Sequence, residues 1–166
     1  MLQNRSFRIG NSITLAGSIL SLFAFFTLPY INLLFFQPTA VALASASNSP
    51  ISLPVLWLEV LVSLAICALA GSQALELQAP PPSDPSAFTV INRSPITTGR
   101  PLAWTILSAL TLLILIYNYF SGMQQQNSLL GISPSSLLLS GYWAYLFGIV
   151  LCLVGGFIEV RHYSTH

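Results

Sequence analysis

Two cysteines, one carboxylate set inside an apolar run and a pair of histidines are the side chains in this sequence with the means to do chemistry. Cys67 and Cys152 both lie in apolar stretches, so they cannot staple a secreted framework, and there is no CxxC and no Cys/His cluster. A thiol reacts or binds a soft metal as its thiolate, which needs an exposed, electropositive setting. Burial in an apolar run is the opposite setting, and both cysteines read as small packing residues. Glu59 is a different case. A carboxylate inside a membrane span is costly unless it is protonated or paired, and is a functional candidate by default. No Arg or His lies inside a span, so its expected partners are hydroxyls, amides, backbone groups or another subunit. It also lies only about 8 to 9 Å from the start of its span, near enough for the side chain to reach the interface. His162 and His166 share a helical face, but two ligands in a tail do not make a metal site. No metal and no cofactor is expected.

Catalysis has no support elsewhere in the chain. There is no phosphate-binding Gly-rich loop, no HExxH, no GxSxG and no carboxylate cluster, and isolated Ser and Asn residues without a general base give no mechanism. A nonenzymatic role is expected.

The elements that position these residues follow from composition. Of the 166 residues, 54% are hydrophobic and 5% charged, with mean hydropathy +0.77, where a soluble domain carries about a quarter charged residues. The chain therefore reads as an integral membrane protein. Its net charge of +1 offers no basic patch, which excludes nucleic acid as a partner.

A hydrocarbon core of about 30 Å needs roughly 20 apolar helical residues. Four stretches qualify, at 12–36, 53–77, 101–122 and 136–160, and predict an all-α, four-helix transmembrane domain over 1–166. Pro29 interrupts the first in "FFTLPYINLLFF" and should bend that helix or end it early. Arg5, Arg8, Arg93, Arg100 and Arg161 all fall on one side of the alternating topology, so both termini are expected to be cytoplasmic. The opposite loops, 37–52 and 123–135, carry no charge; the first has the length for an extended or hairpin segment. The connection 78–100 is rich in Pro, Ser and Thr and reads as an irregular cytoplasmic linker. Arg5, Arg8 and the small residues around Ala44 imitate a secretory signal, yet the apolar run far exceeds the usual 7 to 15 residues or so, and an uncleaved anchor is expected. The Asn4 and Asn92 sequons fall on the cytoplasmic side and should be unused.

Small residues then suggest how the spans pack. Ser140, Ala144, Gly148, Cys152 and Gly156 form an i,i+4 row on the fourth span, with Gly141 and Gly155 beside it. Glu59, Ser63, Cys67 and Gly71 form a similar row on the second. Apolar side chains gain little by leaving lipid for one another, so close approach at small residues supplies helix packing energy. The two rows are expected to be mates. Both spans run in the same direction, and the cysteines lie at nearly equal depths of roughly 20 and 23 Å, so pairing would make the thiols neighbours. Trp57, Tyr30, Tyr117, Tyr119, Tyr142 and Trp143 are expected in an outer aromatic belt and Trp104 in an inner one. Glu76, Glu159 and Arg161 read as markers of the inner boundary.

The layout resembles small bacterial four-span membrane proteins whose first helix ends in a proline–aromatic pair, here Pro29-Tyr30, and whose last is glycine-rich. It is also similar to the claudin span arrangement, although the Trp and paired Cys of the claudin first outer loop are absent from 37–52. The expected function is a noncatalytic accessory, assembly or scaffold subunit in the bilayer, with a bacterial cytoplasmic membrane as the expected location, that associates with another membrane protein or with its own copies. The alternatives are a small transport or channel component using Glu59, and a membrane thiol or lipid-handling enzyme.

Overall fold

A computed structural model of the chain describes residues 3–32, 37–45, 55–78, 95–126 and 138–164. Five helices occupy them: α1 (Gln3–Thr27), α2 (Ala40–Ser45), α3 (Val55–Gln78), α4 (Pro95–Gln126) and α5 (Ser140–Ser164). All except α2 contain an apolar stretch long enough to cross a bilayer, at Ile9–Thr27, Leu56–Leu75, Gly99–Tyr117 and Ser140–Arg161. The chain is a multi-pass helical membrane protein.

The first span is shorter than its apolar run because Pro29 ends it. Proline has no N–H to continue the ladder and pushes the preceding residue out of helical geometry. The last helical-type bond is Leu28 N–H to Ala24 O, at 3.2 Å. Beyond it the backbone extends and bridges two segments, Pro29 pairing with Thr39 and Ile31 with Leu138. Tyr30 N–H donates to Pro38 O (2.9 Å), and Tyr30 O accepts from Leu139 N–H (3.1 Å). Pro29 O accepts from Gly141 N–H (2.9 Å), satisfying one of the donors that α5 leaves unpaired in its first turn. A methyl at Gly141 would stand 2.7 Å from that same carbonyl, so this crossing requires glycine.

Two elements depart from expectation. Between the first and second spans, Thr39 starts the short helix α2, its Oγ1 accepting from Ala42 N–H at 3.4 Å, and Trp57 Nε1–H ties the far end down through Ala44 O at 3.0 Å. The third span begins inside the expected linker, and α4 runs through a buried Pro101 rather than starting at it. The rest of that linker, 79–94, lies outside the described residues, as do 46–54, 127–137 and His166.

The spans form a ring in which α1 neighbours α3 and α5, and α4 neighbours the same two. The α1–α5 pairing is the most extensive. It runs antiparallel: Asn11 meets Glu159 near the two termini, and Pro29 meets Gly141 at the other end. The outer sheath is apolar, with Ile19, Phe23, Leu61, Leu113, Phe147 and Phe157 all exposed toward lipid.

Candidate functional site: buried carboxylates and a polar stripe

The α1–α5 seam is built on glycines seven residues apart, with Gly10 and Gly17 on α1 and Gly141, Gly148 and Gly155 on α5. Seven residues make two helical turns, which returns each glycine to the contact line. A methyl on Gly148 would lie 2.7 Å from Gly17 O and would also meet Ser21 Oγ; one on Gly155 would lie 2.6 Å from Gly10 O and would meet Thr14 Oγ1. Cys152 Sγ–H donates to Thr14 O at 3.4 Å. The α5 small face thus packs chiefly on α1; toward α3 it offers Cys152, which packs with Ile66 and Ala70, and the row-to-row contact expected there is not extensive. Gly71 on α3 has nothing within 4 Å of where a methyl would stand. Gly156 faces α4, where a methyl would lie 2.9 Å from Trp104 Cδ1 and Nε1, and Ala144 packs partly buried at the edge of the outer core. Cys67 is half-buried and Cys152 buried, both as free thiols.

Polar side chains are buried beside the apolar clusters of the bundle. Asn11, Thr14, Ser18 and Ser21 make a continuous buried stripe along α1, and Ser63, Ser108 and Thr111 are buried on α3 and α4. Most of these hydroxyls donate to carbonyls of their own helix, as Thr14 does to Gly10 O (3.1 Å), Ser108 to Trp104 O (2.7 Å) and Thr111 to Leu107 O (2.9 Å).

Glu59 lies at the end of this stripe remote from the two termini. It is 1% exposed, and neither carboxyl oxygen has a hydrogen-bond partner among the described residues. The expected reach to the interface is not made, because α3 turns this side of its first turns inward, against Phe25, Tyr30 and Tyr145 in the outer core. Tyr145 OH donates to the backbone carbonyl of Glu59 at 3.0 Å and pairs with Ser63 Oγ at 2.9 Å, so with Tyr145 as donor to the carbonyl, Ser63 donates to Tyr145. Both protons point away from the carboxyl group. Tyr30 completes this end. Burial first, then the Glu59 carboxyl and the Tyr145 and Tyr142 hydroxyls push its own hydroxyl well above its ordinary range.

Glu159 differs from its expected place at the boundary. It is fully buried between α1 and α5, where Oε1 accepts from Asn11 N–H at 2.9 Å and Oε2 has no partner among the described residues. Packing against Gly10 makes this possible, since a methyl there would stand 2.7 Å from Oε1. The side chains of Arg5, Arg8, Glu76 and His162 lie outside the described residues.

The aromatic belt divides in two. Trp57, Tyr117 and Trp143 are exposed as expected, whereas Tyr30, Tyr142 and Trp104 are buried in the bundle. Tyr30 and Tyr142 stack edge to face with centroids 5.6 Å apart, and Tyr142 OH donates to Leu115 O at 3.3 Å. Trp104 packs with Ile66, Ala70 and Cys152 instead of lying at the inner interface. Among the described residues no group of three His, Cys, Asp or Glu side chains is placed to hold a metal.

No protein family model, curated protein or solved structure matches the chain.

Proposed function

We propose that the chain is a noncatalytic, small transport or channel component that handles a monovalent cation, with the proton included, through Glu59. The observation that supports this most is the buried Glu59 carboxyl group with both oxygens unpartnered. A carboxyl in that state costs stability and contributes nothing to packing that an apolar side chain would not do better. Its retention makes sense if it accepts a transient partner. The test is uptake of protons and of labelled sodium or rubidium into vesicles holding the purified chain. Uptake of one of them, lost in Glu59→Gln, supports the reading; no uptake above empty vesicles for any of the three overturns it.

The second reading is an accessory or assembly subunit, and one observation favours it. The small faces of α1 and α5 are used up within the chain, but Gly71 on α3 is open and leaves a notch for a helix of another membrane protein or of a second copy. Purification in mild detergent should then bring down one defined membrane protein or a homo-oligomer, lost in Gly71→Leu. A solitary monomer would remove this reading. In either role we place the chain in a cell membrane, most simply a bacterial cytoplasmic one, with both termini cytoplasmic, on the strength of the five arginines on one side.

A further inference from the structure

Two of the four acidic residues in the chain are buried in the bundle, and they lie at opposite ends of it. Tyr145, bonded to the backbone of Glu59, marks the outer level on α5, and Glu159 follows fourteen residues later, about 21 Å further along the axis. The α1 stripe of Asn11, Thr14, Ser18 and Ser21 spans that interval. It touches both levels, since Ser21 Oγ–H reaches Tyr145 O at 3.4 Å and Asn11 N–H binds Glu159.

The Glu159 end carries a second signature. Each of the four spanning helices brings a buried polar atom without a hydrogen-bond partner among the described residues to this end: Asn11 Oδ1, Gln73 Oε1, Trp104 Nε1 and Glu159 Oε2. Their common level follows from contacts already described, Asn11 to Glu159, Gly156 to Trp104, and Trp104 to Ala70, one turn before Gln73. Buried polar atoms are almost always paired with protein or ordered water, so four orphans at one end point to transient water there.

We propose that the bundle carries protons between its two ends, with Glu59 as the carboxyl at one end and Glu159 as the carboxyl at the other. This rests on the transport reading of Glu59, names the proton as the cation and adds the second site. The close packing selects the proton. A metal ion of any common kind needs several oxygen ligands at once, whereas Glu59 and Glu159 are far apart and the seam beside Glu159 is filled to contact. A proton moves by exchange along hydroxyls and single waters and needs no open lumen. On arrival it forms an O–H bond at one Glu59 oxygen and neutralises the carboxylate. That bond breaks as the proton passes inward, a new O–H bond forms at Glu159, and its rupture releases the proton at the end holding the termini. One positive charge crosses per event and is balanced by counter-movement of another ion.

The test uses the full chain in vesicles that enclose a pH-sensitive dye, with a potassium gradient and valinomycin setting the driving voltage. The wild-type chain should change internal pH several-fold faster than empty vesicles. Glu59→Gln and Glu159→Gln should each return the rate to that of empty vesicles while eluting as the same monodisperse species. Glu159→Asp, which keeps a titratable group, should retain part of the flux, and loss as complete as in Glu159→Gln overturns the role of Glu159. Proton flux lost in Glu59→Gln but intact in Glu159→Gln overturns the two-site route and leaves the transport reading standing. Sodium or rubidium uptake without proton uptake does the same. No flux of any of the three overturns both.

Discussion

Glu59 is a stability liability with a visible origin, because its own backbone carbonyl takes the Tyr145 proton that its carboxyl group lacks. Replacing it with Leu removes an unpartnered buried polar group, and should raise the midpoint of thermal unfolding in detergent by the equivalent of about 1 to 3 kcal/mol. A drop instead would show that the carboxyl group holds the fold together. Glycines give the opposite sign. Gly148→Ala forces a methyl against Gly17 O and should cost about 1 to 3 kcal/mol in the same melt, while Gly71→Ala, with open space around it, should leave the midpoint unchanged. Residue types alone marked Glu59 as the position to watch. They marked Glu159 only as a boundary residue, because a charge at the last turn of the expected span reads as interfacial, and only the glycine opposite it, Gly10, makes room for burial.

Helix α5 and its partner show what periodicity can and cannot deliver. The small-residue face of α5 was legible from spacing, but the i,i+4 row suggested α3 as mate, whereas contact falls on Gly141, Gly148 and Gly155 and meets α1. The pointer to α1 lies in Gly10, Thr14, Gly17 and Ser21, a row of alternating glycines and small hydroxyl residues that the rows on the second and fourth spans leave out of account. Thr14→Cys in a Cys67→Ser background should form a disulfide with Cys152 on mild oxidation, because Cys152 already reaches the Thr14 carbonyl. After proteolysis in the connection between α3 and α4, the two halves should migrate together without reductant. If they separate, the α1–α5 pairing is wrong. At the end away from the termini, Thr39→Ala should destabilise α2 by about 1 kcal/mol, seen as faster amide exchange over 40–45.

Across the whole molecule an apolar sheath of leucines and phenylalanines surrounds a mixed interior, in which apolar clusters around Phe25, Tyr145 and Trp104 share the buried space with hydroxyls, amides and two carboxyls. Hydropathy revealed the four crossings because each stretch is apolar on average. It hid the interior because one Ser, Thr or Asn per turn barely lowers that average, and which face looks inward depends on neighbours far away in sequence. Pro29 was the exception, a local signal for an element boundary that the structure places two residues after the end of α1.

The antiparallel embrace of α1 and α5 also has a consequence for how the protein is made. Asn11 finds its partner 148 residues further along the chain, so α1 leaves the ribosome long before the surface that completes it. During that interval the stripe from Asn11 to Ser21 stands in the bilayer facing acyl tails or whatever insertion machinery shields it. A chain stopped after α4 should therefore be recognised as unfinished and cleared by membrane proteases, with a pulse-chase half-life well below that of the full chain. Supplying α5 as a separate polypeptide should restore it, making the final helix the step that releases the protein from supervision.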